Sequence, residues 1–504
     1  MPPQTHKEGA AGAGQDPKPD TIWREGVSNS GAVLVPRSFA SKTTAKSGIR
    51  IKAKGIKLTM ANIATHNTRD DLWIVVDGKV YDVTGFVDKH PGGWLVMVNM
   101  GGKDCTDAFA NYHPAQVYEK YLPYYYLGEV VDFEETNFAR EHRAIRQKLL
   151  REGRFETDLT FYYKEAFKIA SIFSVAIALT LCCESVLAHM AGALMLALFW
   201  QQMAFVGHDI GHCSITHNFE FDNNFGIIIG NVLTGISIGW WKRSHNVHHI
   251  VCNSIENDPD IQHMPFMAVS EKILNTRFIS SFHEHTIDGT NRLSKFLVGY
   301  QHYLFYPIMM LARFNLYIQG LLHVLLQPQV RWRTTEFVTI VGFFVWFGLL
   351  VENIPGASLA QKMCYVVLSH ALAGVLHVQI CLSHFHMDTY NGHAYNDASD
   401  EWFIMQLKTT LNIDCPTYLD WFHGGLQFQI EHHLWPRLPR HQLRYASNLV
   451  KEFCLKHGVR YHAPGWIDAQ VELYHSMKNV AMKARNNPVN FSDTALCDGL
   501  FALG

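Results

Sequence analysis

Three short stretches set histidines at helix-turn spacing: "HDIGH" (His208, His212), "HNVHH" (His245, His248, His249) and "QIEHH" (Gln429, His432, His433). Residues three and four apart share a helix face, so His245 lies with His248 and His249, and Gln429 with His432 and His433. Seven imidazoles presented from three such turns can hold more than one metal ion. A single structural zinc is filled by four ligands and would leave the rest idle. Imidazole suits zinc, copper and iron alike, so ligand type alone does not choose the metal. Gln429 stands where a third histidine would repeat the pattern of the second box.

A fourth pair has a different look. "DKHPGGW" places His90 before a Pro-Gly-Gly turn where backbone can pass close to a flat ligand. "DAFANYHP" then supplies His113 at a separation typical of a two-histidine haem clamp, with aromatics between the two. Residues 66–132, with "WIVVDGKVYDVTGFVDKHPGGW" at their heart, resemble a cytochrome b5 domain. The resemblance implies His90 and His113 as axial ligands of haem b, a one-electron carrier with no open coordination position. It also bears on the metal. Zinc has no redox chemistry and would make no use of a fused electron donor, whereas a di-iron, dioxygen-activating centre uses both parts.

The stretches "GISIGWWKRSHNVHHIVCNSIENDPDIQHMPF" and "DWFHGGLQFQIEHHLWPRLPRHQLR" are similar to the front-end desaturases with an N-terminal cytochrome b5 domain, especially the plant-type group of sphingolipid Δ8 and acyl Δ6 desaturases. That family characteristically has Gln in the first position of the third box, so the resemblance implies that Gln429 is the expected catalytic-site residue. An amide oxygen is neutral and a poorer donor than imidazole. It could coordinate weakly, bind through water, or hydrogen-bond a neighbouring ligand. His384, in "CLSHFH", matches the family's additional metal ligand.

The resemblance further implies electrons from NADH, delivered by a separate cytochrome b5 reductase and passed through haem to di-iron, with dioxygen as oxidant and a lipid chain as substrate. The substrate expected is the long-chain base of ceramide, desaturated at Δ8. A Δ6 or other front-end acyl desaturase is the alternative, and a lipid hydroxylase or a haem carrier with a purely structural metal are further ones. Positioning matters because a misplaced carbon changes where the oxidant strikes, so a long apolar tunnel is expected between the helices.

Other residues near the boxes need weighing. Asp209, Asp258, Asp260, Asp420 and Glu431 could orient ligand imidazoles by accepting their remaining N–H, or could simply solvate helix ends. His377 lies deeper in an apolar run. His217, His263, His302 and His423 read as supporting or surface residues, and His283 and His285 as solvated.

The elements that must carry these residues follow from composition. With 48% hydrophobic and 17% charged residues, the 504-residue chain is too long for one ordinary domain and too low in charge for a typical soluble protein. A net charge of −2 and the absence of a recognition module give no case for nucleic acid. The ten cysteines lack C-x-x-C pairs, and several (Cys182, Cys183, Cys364, Cys381) lie in apolar runs, so they are expected as buried free thiols.

Residues 1–60 are expected to be a disordered leader, with a weak transit-like bias, and 61–135 a haem domain whose "LWIVVDGKVYDV" makes two strands around an Asp-Gly turn. A linker over 136–160, a membrane desaturase domain over 161–465 and a tail over 466–504 complete the order. Spans are expected at about 166–183, 187–206, 336–352 and 363–382, whereas "FGIIIGNVLTGISIGWW" and "YLFYPIMMLARF", each carrying a Gly or Arg interruption, are expected to lie in the interface. The two hairpin loops lack Lys and Arg while the flanks are basic, which places both termini and every box in the cytosol.

The expected fold is therefore an α+β cytochrome b5 domain followed by an all-α integral membrane domain of four transmembrane helices with a cytosolic histidine-box cap. The expected location is the endoplasmic reticulum membrane, with the plastid envelope as the alternative.

Overall fold

The computed structural model describes residues 57–274, 276–289, 292–392, 394–395 and 401–486. Nearly all of the expected leader, and the tail beyond 486, lie outside the described residues.

A four-stranded antiparallel sheet opens the chain: β1 (Asn67–Thr68), β2 (Asp71–Val76), β3 (Lys79–Asp82) and β4 (Tyr126–Glu129), in that order. The β2–β3 turn is the expected Asp77-Gly78 pair, both at positive φ (51° and 69°), the backbone that matches the twist of a two-residue hairpin. Alternation along β2 divides its side chains. Trp73 and Val75 pack with Leu58, Ile63 and Val80 in a small core on one face. Leu72, Ile74 and Val76 face the other way, into a larger core that also holds Val247, Ile250, Leu434 and Trp435 from the histidine-box region. The N-terminal domain therefore shares its hydrophobic core with the cap of the second domain.

Four helices among the described residues are long and apolar enough to cross a membrane: Val186–Gly211, Gln301–Leu326, Arg333–Glu352 and Leu359–Leu382. Their outer faces expose large apolar side chains such as Leu187, Leu325, Val338, Leu349 and Met363, as a lipid-facing surface requires. The number agrees with expectation, but one member differs. The helix expected at 166–183 runs Leu159–Leu181, packed on Val186–Gly211, and carries Lys164, Glu165 and Lys168 in its first half.

Conversely, "YLFYPIMMLARF" is no interrupted interfacial segment but part of the continuous 26-residue helix Gln301–Leu326. Arg313 does not break it. Its buried guanidinium donates to Thr234 O (2.6 Å) and Tyr317 Oη (2.9 Å) and lies over the Trp200 ring at 4.2 Å. Its first half is tied to Ala268 O and Met477 O through Gln301, and in its second half Gly320 lies against Ser237, the cap of the box-two helix. The stretch "FGIIIGNVLTGISIGWW" is interrupted as expected, turning at Gly235 in the left-handed region.

The thiol expectation holds in part. All nine described cysteines are free, but Cys182 and Cys364 are exposed, because each sits on the outward face of its helix end. The helix Trp466–Asn486 buries Ala469, Leu473, Met477, Val480 and Ala484 in a core shared with Phe305, Met309 and Leu382.

Candidate metal centre and haem site

The first box ends the Val186–Gly211 helix, with His212 as its C-cap. The second lies on Ile238–Val251, whose start is held by two side chains: Ser237 Oγ accepts from Trp240 N, and Asn231 Oδ1 accepts from Ile238 N at 3.0 Å. The third occupies a short helix, Gln429–Leu434, preceded by two glycines at positive φ. A Cβ on Gly424 would sit 2.1 Å from the Phe205 ring, so the "HGG" turn lets box three close against the helix of box one. Gln201, Gln202 and Gln379 tie that turn down from below, donating to the carbonyls of Trp421 and Phe422 (3.0–3.3 Å).

These elements bring the histidines into two adjoining groups. In one, the ligand atoms of His208, His212, His245 and His432 all lie within 4.8 Å of one another; in the other, so do those of His248, Cys252, His384 and His433. His249 joins the groups. Its Nε2 is 3.0 Å from the Nε2 atoms of both His245 and His432, and its ring stacks on His433 at 4.1 Å. Burial holds His245 down at about 4 and likewise depresses His212, His249, His432 and His433, leaving them neutral and able to donate lone pairs. Burial also acts on His248, but Asp258 and Asp260 overcome it and lift that ring to about 9.

An outer layer fixes ring orientation in the second group. His248 Nδ1 meets Asp258 Oδ2 at 2.9 Å, His433 Nδ1 meets Gln406 Oε1 at 3.1 Å, and His384 Nδ1 meets Thr409 O at 3.3 Å. Each Nδ1 so engaged leaves Nε2 available to a metal. This donor set fits a pair of metal ions. Asp258 also accepts from Asn253 N at 2.7 Å, so one carboxylate both closes the box-two helix and orients its histidine.

Of the carboxylates weighed above, Asp258 and Asp260 reach box histidines, Asp260 at 3.6 Å from His245. Asp209 lies 3.8 Å from His208 Nδ1 but also accepts from Tyr162 and pairs with Arg440, whereas Asp420 pairs with Arg444 and Gln427, and Glu431 with Asn412 and Tyr461. Tyr162 and Arg440, Arg444, and Asn412 and Tyr461 are partners distant in sequence, which the local spacing did not reveal. Gln429 is buried one turn before His432 and His433, on the face they share. Among the described residues His217, His263, His302, His377 and His423 join neither group. Cys252, Gln406, Thr409 and Asn412 were not foreseen; only the two residues separating Cys252 from "HNVHH" could have hinted at the first. A pocket of about 240 Å³ is lined by residues including His386, His462 and Glu472 and contains no box histidine, so it is not the expected tunnel.

In the N-terminal domain His90 and His113 face one another with ring centroids 5.9 Å apart. Each Nδ1 is 3.1 Å from a carbonyl, of Gly93 and Phe109 respectively, which leaves both Nε2 atoms for a ligand between the rings. Burial lowers them to about 4 and about 3, so both are neutral. A pair of opposed neutral imidazoles suits a haem iron. The site adjoins the metal centre: Asn111 Nδ2 donates to Leu434 O at 2.6 Å, and the Tyr112 ring lies edge-on to His249 at 6.5 Å.

A haem-type histidine pair docked onto a cluster of box histidines, in a chain with four membrane-length helices, defines an electron-fed membrane oxidoreductase. The fatty acid desaturase family matches residues 185–465, and the cytochrome b5-like heme/steroid binding domain matches residues 59–131. The chain is 39% identical to Delta(8)-fatty-acid desaturase 2 of Arabidopsis thaliana over 436 residues, covering 86% of this chain and 95% of the relative. It is 37% identical to the Acyl-lipid (9-3)-desaturase of Borago officinalis (85% and 94% covered) and 38% identical to the Delta 8-(E)-sphingolipid desaturase of Komagataella phaffii (69% and 63%). The chain belongs to the fatty acid desaturase family. Within it, the chain is a membrane-bound front-end desaturase, an oxidoreductase carrying its own cytochrome b5-like domain.

Proposed function

We propose that the chain introduces a double bond at Δ8 of the long-chain base of ceramide. The position is supported by relatives from a plant and a yeast named for Δ8 activity, at 39% and 38% identity, and the long-chain base by the yeast relative, which is named a sphingolipid desaturase. The Borago relative, named for acyl lipids, matches at 37%, and it carries the second reading, a front-end acyl desaturase.

His208, His212, His245, His249 and His432 would hold one iron and His248, His384 and His433 the other, with Gln429 beside them; His90 and His113 would hold haem b. When bound, the irons supply the dioxygen chemistry that removes two hydrogens from adjacent methylenes, and the haem supplies electrons one at a time. The chain's own residues prepare that chemistry. Asp258, Gln406 and the Thr409 carbonyl orient the rings, and the imidazoles that burial keeps neutral need lose no proton on binding metal, whereas His248, lifted by Asp258 and Asp260, would release one. Asn111 and Tyr112 hold the haem domain against box two and box three.

A separate cytochrome b5 reductase using NADH would reduce the domain. Basic flanks and hairpin loops without Lys or Arg support a cytosolic cap, and the endoplasmic reticulum is the membrane proposed. The test is expression in a eukaryotic host that makes only saturated long-chain bases, with double-bond localisation by mass spectrometry. A new double bond at carbon 8 of the base is expected. An unchanged base fraction with a new bond on the carboxyl side of a supplied polyunsaturated acid would select the acyl reading.

A further inference from the structure

Away from both box groups, three residues from distant parts of the chain converge. His386 follows the Val375–Leu382 helix, His462 precedes the C-terminal helix, and Glu472 lies on that helix, Trp466–Asn486. Their ligand atoms lie within 4.8 Å of one another. His462 Nε2 is 2.8 Å from Glu472 Oε2, and His386 Nε2 is 3.4 Å from the same oxygen. Donors around a tetrahedral zinc with bonds of about 2.0–2.2 Å stand roughly 3.3 Å apart, so little movement separates this arrangement from a bound one.

The His386 side chain is 5% exposed, yet its Nδ1 has no hydrogen-bond partner and its Nε2 has only the Glu472 carboxylate, at 3.4 Å. A simple hydrogen-bonded surface pair of His462 and Glu472 leaves that buried imidazole unexplained, because buried polar atoms are ordinarily satisfied. A metal bond would give one of its ring nitrogens a full partner. The pocket of about 240 Å³ opens beside the three residues, with Asp388, Lys408 and Arg460 also on its wall, so a fourth coordination position would be reachable from solvent.

We propose that His386, His462 and Glu472 form a third metal site, holding a zinc-type divalent cation through two imidazoles and a carboxylate. It goes beyond the desaturase reading and does not depend on it. The cation would join three segments that support the iron site without entering it. His386 is two residues beyond His384. The His462 carbonyl accepts from Asn412 N at 3.0 Å, and Asn412 in turn bonds Glu431 and accepts from Ile430 N in the box-three helix.

The full-length detergent-purified protein should contain a single zinc per chain by elemental analysis, beyond its iron and haem. His462→Ala and Glu472→Gln should each bring zinc to background while iron content and the b-type absorption stay at wild-type levels, which also reports that the variants fold. Cobalt(II) added to zinc-stripped wild type should give the visible band of a tetrahedral site, absent in both variants, and zinc(II) should raise the melting temperature of the stripped wild type only. A wild type that binds neither zinc nor cobalt at micromolar concentration overturns the site, as does zinc that persists in both variants or rises only as iron falls.

Discussion

The Tyr112 ring stands edge-on to His249 with centroids 6.5 Å apart, and Tyr112 is covalently joined to His113. One residue thus touches the proposed iron site while its neighbour faces the proposed haem. Removing the ring should leave both cofactors bound but lengthen the route between them. In stopped-flow measurements with lipid and oxygen, Tyr112→Leu is expected to reoxidise its reduced haem more slowly than wild type, and Tyr112→Phe to match it. Equal rates in all three proteins would remove Tyr112 from the route.

Asp258 is expected to govern metal retention. Outer partners of metal-bound histidines are worth about 10–100-fold in metal affinity, and Asp258 serves His248 while also accepting from Asn253 N. Asp258→Ala should lose iron to a chelator at correspondingly lower concentration. Asp420→Ala, whose carboxylate pairs with Arg444 and Gln427, should not.

Gln429 can be placed by two substitutions. Its buried position on the face of His432 and His433 predicts that Gln429→Ala abolishes desaturation and Gln429→His largely restores it. Wild-type product levels from both would exclude the residue from the site.

Acid should loosen the haem domain. Burial opposes ionisation of Asp107, but His142 and Arg143 hold its carboxyl well below the usual carboxylate range. A depressed folded-state value means the contribution is fully present above the unfolded value, about 3.9, and is lost as pH falls through the folded one. Thermal melts followed at the haem band should therefore show stability declining below about pH 4. Asp107→Asn should flatten that decline and cost less than about 3 kcal/mol at neutral pH, since Arg143 keeps Asp104 and Glu135 as partners.

What the sequence revealed was local, and what it concealed was long-range. His208, His212, His245, His248 and their successors could be read because one helical turn sets their spacing, and the Asp77-Gly78 hairpin because its backbone demands those residue types. Asp258 and Asp260 lie close enough to "HNVHH" to be weighed. Gln406, Thr409 and Asn412 reach the site through tertiary packing and carry no motif. Arg313 misled for the same reason. A charge in an apolar run looks like a break until its partners, Thr234, Tyr317 and Trp200, are seen together. His386, His462 and Glu472 span 86 positions of sequence and meet only in three dimensions.

The core shared by β2 and the box-two and box-three helices also sets the kinetics of supply. A donor on a loose tether must find its acceptor at every turnover, at a frequency governed by linker length. Here the search is already over, so delivery is first order and independent of protein concentration. The same contact occupies the approach that a diffusing carrier would need, so free cytochrome b5 added in excess should not replace a haemless domain.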